Sequence, residues 1–451
     1  MAPRTSPLLV DLYQLTMGQA YLDAGLADTT ATFSLFYRNL PAGWGYLLAA
    51  GLDDALAYLE QLSFAEDDLG YLESTSLFTA SFLDHLRGLR FEGAVRAMSE
   101  GTLFFPQEPV LELTAPVITA QIVETVVLNV VHFQSLVAGK AARSVDVARG
   151  RPLVDFGLRR AHGGEAGLKA ARASYLAGFD STSNVLAGRE YGIPIAGTMA
   201  HSFVESFPDE LAAFRAYARS YPDRAVLLVD TYEVVEGTRR AIRVGRELAE
   251  RGSRLRGIRI DSGDLAELSR TARALLDEAG FEDAGVFVSG GLDEHDVATL
   301  LEAGAPIAGF GIGTKMVVSA DAPFLDMAYK LVELEGRPTL KLSPGKATLP
   351  GRKQVWRVAG PEGFAHDVVE REGEPGPAGG EPLLASVPRA GRRSAAETLL
   401  EARERAEGQR KRLPERHRRL AAKPYSVRVG SGLAALRADA ARRAAASPSP
   451  R

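Results

Sequence analysis

Arg259-Ile260-Asp261-Ser262-Gly263-Asp264 sets a fixed cation and a carboxylate two residues apart, so an extended chain sends both to the same side. A guanidinium there can grip an anionic substrate group in bidentate fashion, and Asp261 can accept hydrogen bonds from sugar hydroxyls. The same two residues could instead form an internal ion pair, and Asp264 stands where it can cap a following helix. Further on, Ser289-Gly290-Gly291 and Gly311-Ile312-Gly313-Thr314 each present unhindered backbone N–H groups ahead of a helical or turn segment, where an anion is favoured. Glycines also end strands for steric reasons; two successive segments with this pattern point to a phosphate site. His201, followed by Ser202, is the histidine among seven that has such company. It can act as a nucleophile toward a phosphoryl group, or be a satisfied hydrogen-bonding residue. Phe156 and Tyr13 offer aromatic faces that a flat heteroaromatic substrate could use, or they are ordinary core.

These groups need a repeating frame to hold them. Between Pro152 and Thr314 a short β-branched or apolar run gives way to a small polar cluster and then to a helical pattern, about seven times over. The runs end at Asp155, Asp180 to Ser183, Gly197 to His201, Asp230, Arg259 to Ser262, Ser289 to Gly291 and Gly311 to Thr314. This predicts an α/β protein with an irregular βα barrel, whose ligands collect beyond the carboxyl ends of the strands. In the helix over 264–279, Leu265, Leu268, Ala272, Leu275, Leu276 and Ala279 share one face. The chain before the barrel lacks this rhythm and reads as an α+β layer. It has helices over 11–24, 52–62 and 77–86, strands over 30–37, 91–98 and 110–113, and a long buried helix over 118–138. After the barrel, 331–334 with 339–342 reads as a hairpin and 354–358 as a strand; these would rejoin the first layer and make that domain discontinuous. The expected division is 1–145, 146–320 and 321–451, the last ending in a helical, frayed tail.

Composition narrows the class. A chain of 451 residues that is 46% hydrophobic can bury a large core or two. Lys and Arg number 53 against 57 Asp and Glu, a net charge of −4, so the partner is a small molecule and not nucleic acid. Arg416, Arg418 and Arg419 are accounted for by a solvated helix face. The absence of cysteine excludes disulfides, thiolate chemistry and cysteine-built zinc sites, and no residue is assigned to a resident metal. The most apolar stretch, over 118–138, is interrupted by Gln121, Glu124, Asn129, His132 and Gln134, which argues against a membrane span. The first ten residues have no secretion-signal pattern, so a cytoplasmic enzyme is expected.

Taken in order, the blocks at 11–17, 33–39 with Gly43-Trp44-Gly45, 105–109, 155–160, 179–184, 197–203, 259–264, 309–314 and 341–357 resemble the nicotinate phosphoribosyltransferases, a group that also contains nicotinamide and quinolinate enzymes. The resemblance implies a homodimer with shared active sites, in which Tyr13 of one subunit and Phe156 of the other sandwich the pyridine ring and Arg259 holds the nicotinate carboxylate. Asp261, Ser289, Gly290, Gly291, Gly311, Gly313 and Thr314 would line the ribose and 5′-phosphate of phosphoribosyl pyrophosphate, with Mg²⁺ carried on the pyrophosphate. Arg159, Arg160, Lys330 and Lys346 would counter the remaining anionic charge. ATP would phosphorylate His201, and hydrolysis of the phosphohistidine would be coupled to mononucleotide synthesis. By the family pattern the nicotinamide enzymes carry an aspartate where this chain has Ser183; a carboxylate there would repel nicotinate, and a neutral serine avoids the conflict. Alternatives at this point are a nicotinamide enzyme, a sugar-phosphate-binding barrel without catalysis, and a barrel aldolase or isomerase. The last would call for a strand-end lysine that the sequence does not offer.

Overall fold

The structure is a computed structural model that describes residues 5–341, 348–387 and 397–446. The chain divides into two compact units, one made of Met1–Leu136 with Phe324–Arg451, the other of Val137–Pro323.

The second unit is built on a six-stranded parallel sheet. Its strands run in the order Ser181–Thr182, Leu153–Asp155, Gly309–Ile312, Gly285–Val288, Gly257–Ile260 and Val226–Leu228. They are short and apolar, and Leu153, Leu228, Ile258, Ile260, Val286, Val288, Phe310 and Ile312 are all buried. Strands with such side chains belong in a sheet covered by helices. The helix Leu265–Glu278 is one cover. It buries Ser269, Ala272 and Leu276, with Leu265, Leu268 and Leu275 of the expected face half-buried beside them. Asp264 caps it, accepting from the N–H groups of Ala266 and Glu267, each at 3.1 Å, so the capping role is the one the structure gives that residue.

The expectation of about seven strand–helix units in a barrel needs correction: the sheet is a half-barrel of six strands. The seventh expected strand, over 193–198, is reduced to one parallel bridge between Thr182 and Ile195. Pro194 has no N–H to give a ladder, and Ile195 is 56% exposed, so no burial rewards an extended run there. A buried ion cluster braces the same unit: Glu294, fully buried, lies 2.7 Å from Lys140 and 2.8 Å from Arg143.

The first unit holds a six-stranded antiparallel sheet in the order Arg337–Pro338, Met327–Leu334, Thr30–Tyr37, Leu111–Pro116, Ala94–Ala97 and Ala385–Val387. Thr30–Tyr37, predicted over the same residues, sits beside Met327–Leu334 with Leu35 opposite Tyr329. The hairpin after Leu334 turns back sooner than the sequence suggests, at Arg337–Pro338; of the expected partner over 339–342, residue 342 lies outside the described residues. A four-stranded sheet, ordered Gly380–Pro382, Lys353–Gly360, Gly363–Arg371 and Val427–Val429, completes the unit with a two-stranded pair. The helix expected over 118–138 is two helices, Val117–Ile122 and Glu124–Val147, the second crossing the boundary of the units. Among the described residues no helix is long and apolar enough to cross a membrane.

Candidate active site

The carboxyl ends of the parallel strands bring most of the expected residues of the second unit into one connected group. Arg259 lies between fully buried Ile258 and Ile260 and is itself half-buried, so strand alternation turns it away from the side its neighbours fill. Its Nη2 donates to Met199 O at 3.0 Å, and its guanidinium carbon stands 5.8 Å from the centre of the Phe156 ring. Its Nε is buried with no hydrogen-bond partner. Burial pulls the guanidinium below its ordinary value while Asp261 and Asp230 hold it up, and the charge of Arg159 adds a smaller downward push. An arginine so placed stays protonated and has an unspent donor for an anion.

Asp261 turns to another partner. Its carboxylate accepts the hydroxyl proton of Ser289, so among the described residues Arg259 and Asp261 do not form the internal ion pair that the sequence left open. Ser289 is buried and orients Asp261 with its side chain; only its backbone remains to meet a phosphate. The following Gly290 and Gly291 are exposed, with φ of +110° and +71°, and a Cβ on Gly290 would lie 1.9 Å from Asp261 O. Here glycine is required for the close approach of two strand ends.

Asp230 ties these ends together, and the sequence reading gave it no role. Its Oδ2 accepts from the Asp261 N–H at 2.9 Å and from the Ser262 hydroxyl at 2.7 Å, while Oδ1 is buried without a partner. The signal was present, since the Val226–Leu228 run ends in Asp230-Thr231, but nothing in one strand says which carboxylate faces the others. Next to it, Thr231 Oγ1 is 3.1 Å from Nδ1 of His201. His201 is half-buried at the first residue of the helix His201–Glu205, two residues after the Met199 carbonyl that holds Arg259.

Phe156 continues from the end of Leu153–Asp155, half-buried, with its N–H on Ile312 O at 2.8 Å. Cβ atoms on Gly311 and Gly313 would come within 2.4 Å of the ring and 2.6 Å of the Phe156 carbonyl oxygen, so both glycines, buried themselves, have a steric reason to be there. Thr314, exposed, opens the short helix Thr314–Val317. Lys315 after it, another residue the sequence reading missed, bonds Asp293 and Asp296, each at 2.9 Å. Buried Asp155 accepts from the Gly157 N–H and the Thr182 hydroxyl, both at 2.7 Å, and burial raises its pKa. Its backbone carbonyl takes the Ser183 N–H at 2.9 Å, which fixes Ser183, half-buried, at the rim. Arg159 and Arg160 are exposed on the turn Leu158–Arg160.

Two of the expected residues belong to the first unit, and a third is not among the described residues. Tyr13 belongs to the first unit, on the helix Leu12–Asp23, and is 47% exposed. Burial of its remainder and the neighbouring Glu124 carboxylate push its hydroxyl up to about 12, so it stays a neutral phenol. Lys330 belongs to the same unit, half-buried opposite Ser34 in Met327–Leu334. Lys346 lies outside the described residues. Among the described residues, no cluster of three or more histidines, cysteines or carboxylates could hold a metal ion.

Known proteins resemble this chain in sequence and in fold. Two family descriptions match: the nicotinate phosphoribosyltransferase N-terminal domain over residues 8–132, and the nicotinate phosphoribosyltransferase family over residues 152–348. Nicotinate phosphoribosyltransferase pncB2 of Mycobacterium tuberculosis is 51% identical over 424 residues, covering 94% of this chain and 90% of its own. The Bacillus subtilis nicotinate phosphoribosyltransferase is 45% identical over 358 residues, 78% of this chain and 73% of its own. The crystal structure of human nicotinic acid phosphoribosyltransferase superposes with a TM-score of 0.83 at 34% identity, covering 95% of this chain and 99% of that one. Matched in sequence along nearly its whole length and in fold, the chain belongs to the nicotinate phosphoribosyltransferase family.

Proposed function

We propose that the protein transfers the phosphoribosyl group of phosphoribosyl pyrophosphate to nicotinate, giving nicotinate mononucleotide and pyrophosphate, and that it couples this to hydrolysis of ATP. The observation that carries the reading is the connected rim. Arg259, with a buried unpartnered Nε, stands over Phe156, and through Met199, His201, Thr231 and Asp230 it is linked to Asp261, Ser289 and the glycine turn. A binder of sugar phosphate alone needs the turn but not a guanidinium beside an aromatic face, nor a histidine.

In this reading Arg259 takes the nicotinate carboxylate and Phe156 stacks on the pyridine ring, with Tyr13 of a second subunit on its other face in a homodimer. Arg159 and Arg160 add positive charge at the same rim, and neutral Ser183 leaves the choice of base in favour of the acid over the amide. The ring nitrogen attacks C1 of the ribosyl group, and the bond from C1 to the pyrophosphate oxygen breaks with its electron pair leaving on pyrophosphate. Asp261 accepts hydrogen bonds from the ribose hydroxyls, and the backbone of residues 289–291 and 313–314, with Lys330 and Lys346, meets the phosphates. Most of the acceleration comes from holding the reactants in line and neutralising the leaving group.

Mg²⁺ fits the carboxylates present: Asp230 has a buried unpartnered oxygen and is joined to Asp261 through the latter's N–H, and this ion is usually held by one or two carboxylates together with substrate phosphates. Bound there, it would supply countercharge for the departing pyrophosphate. The ATP-dependent step falls to His201 as phosphoryl acceptor. A cytoplasmic location is part of the same proposal.

The test is mononucleotide formation from nicotinate or nicotinamide, with and without ATP. Formation from nicotinate, stimulated by ATP, is the expected result; preference for nicotinamide, or binding of phosphoribosyl pyrophosphate without turnover, would overturn the proposal.

A further inference from the structure

His201 and Thr231 come from different strand ends, and the imidazole Nδ1 meets the threonine hydroxyl at 3.1 Å. Both side chains are half-buried. The chain around Thr231 is held in place, because the Asp230 carboxylate before it accepts from the Asp261 N–H at 2.9 Å and the Ser262 hydroxyl at 2.7 Å. The hydroxyl is thus delivered to one particular nitrogen of the ring.

We propose that Thr231 is a positioning residue that presents Nε2 of His201 as the phosphoryl-accepting atom and then reverses its hydrogen bond to protect the phosphorylated ring. The inference rests on the reading of His201 as phosphoryl acceptor given above.

A neutral imidazole has one N–H and one lone pair, and the partner of one nitrogen decides the state of the other. With the Nδ1 proton donated to Oγ1 of Thr231, the lone pair is on Nε2, the free side of the ring. That lone pair forms the bond to the γ-phosphorus of ATP. The bond from this phosphorus to the β,γ-bridging oxygen breaks, and its electron pair leaves on ADP. The ring is then a phosphoimidazolium whose Nδ1 proton still points at Oγ1. Loss of that proton to water leaves a lone pair on Nδ1, and the threonine hydroxyl rotates to donate to it.

A hydroxyl can take both parts because it carries a donor and acceptors. A carboxylate in its place could only accept; it would hold the Nδ1 proton and keep the ring cationic, the form in which imidazole is the better leaving group. The threonine therefore favours a phosphohistidine that survives until the other substrates arrive. An apolar side chain of the same shape would supply neither contact, leaving the tautomer and the ring orientation unset.

The experiment labels the full-length enzyme with ATP carrying ³²P in the γ position, and follows acid-labile, alkali-stable label on His201 and its decay after removal of ATP. Loss of a partner that orients an essential side chain commonly costs about 10–100-fold. Thr231→Val is accordingly expected to slow labelling by about tenfold or more and to shorten the life of the label. Thr231→Ser, which keeps the hydroxyl, is expected to restore both to within about threefold, an estimate on the same scale. Melting curves establish that each variant is folded, and the serine variant supplies the rescue that a purely structural role would not give. If Thr231→Val labels and decays like the unaltered enzyme, or if serine fails to rescue it, the assignment of Thr231 is wrong. If the unaltered enzyme takes up no label, or His201→Ala takes up as much, the reading of His201 itself fails, and the two failures are distinguishable.

Discussion

Gly311 and Phe156 are a fitted pair: a Cβ on Gly311 would stand 2.4 Å from Cε2 and 2.5 Å from Cδ2 of the ring. The bare backbone of one strand is what lets the aromatic ring leave the end of the next one at this angle. In Gly311→Ala the methyl group and the ring cannot both stay, and the ring, half-buried at the rim, is the part free to move. The variant should fold and lose affinity for nicotinate by about 10–100-fold, on the order of 1.4–2.8 kcal/mol. Steady-state KM values for the two substrates check this: nicotinate should suffer and phosphoribosyl pyrophosphate much less. An unchanged KM for nicotinate would mean that Phe156 does not contact the base.

In the function proposed above, Ser183 is the position at which the charge of the base is read. Its N–H is fixed on the Asp155 carbonyl at 2.9 Å, so a longer side chain there would still start from the same point on the rim. A carboxylate at 183 meets the charge of nicotinate in a partly desolvated site, where like charges at ~4 Å repel by about 4 kcal/mol at an effective dielectric of ~20. For Ser183→Asp, nicotinate binding should weaken by about 100-fold or more, with nicotinamide changed by less than about tenfold. Parallel losses for both bases, measured by competition or by KM, would refute this account.

The succession of strands along the chain and the residues at their ends were readable because each strand is a short apolar run closed by polar or glycine residues, as in Gly257–Ile260 followed by Asp261. Thr30–Tyr37 was readable for the same kind of reason, a β-branched and aromatic run between turn residues. The loss of the strand over 193–198 was not, because the run has apolar residues of the right type, while Pro194 lacks a ladder N–H and the exposure of Ile195 removes the gain from pairing. Asp230 and Lys315 were illegible for a different reason. Each acts across strand ends, on Asp261 and on Asp293 with Asp296, and periodicity along one segment says nothing of which side chains meet across the sheet. The glycines at 311 and 313 were found for their backbone N–H groups, whereas their geometry serves Phe156 first.

Lys315 fastens the turn after one strand to the helix after another, and its two carboxylate partners keep it charged. Burial alone would raise Asp293, but hydrogen bonds from Lys315 and from the Asp296 backbone override it and bring it down to about 2. A depressed value of this kind gives stability that is present above the ordinary carboxylate range and lost only as pH falls toward 2, so the clamp is intact throughout neutral pH. The lysine is partly exposed, and pairs of that sort contribute about 0–1 kcal/mol. Lys315→Met should therefore leave the melting temperature nearly unchanged while raising KM for phosphoribosyl pyrophosphate by about tenfold, or ~1.4 kcal/mol, because Thr314 and the 289–291 turn lose their fixed spacing. A large fall in melting temperature with no change in KM would reverse the assignment.

In the first unit, Glu108 is buried within the electrostatic influence of the Arg357–Asp367 ion pair. Arg357, stacked at 5.4 Å from the Phe105 ring and 4.8 Å from that of Phe364, pairs with Asp367 at 2.6 Å. Tyr425 donates to the same carboxylate at 3.0 Å. Glu108 is fully buried and accepts the Phe105 N–H at 2.9 Å through Oε2, but Oε1 finds no donor. A carboxyl that is protonated resolves this, since it can itself donate to Asp367. Burial, the charge of Asp367 and that hydrogen bond push Glu108 well above its ordinary 4.5, against the pull of Arg357. A raised value means that the stabilisation is complete below about 4.5, where the unfolded chain is also protonated, and is lost as pH rises toward the folded value. The decline should be about 1.4 kcal/mol per pH unit within that window. Glu108→Gln keeps an acceptor for Phe105 and gives Asp367 a permanent N–H donor, so its stability should be nearly flat where the unaltered protein declines. Both tryptophans, Trp44 and Trp356, lie in this unit, and their fluorescence in urea titrations at pH 5 and pH 8 reports its unfolding. Equal slopes with pH for the two proteins would show that Glu108 carries no proton in the fold, and the buried acid pair would need another explanation.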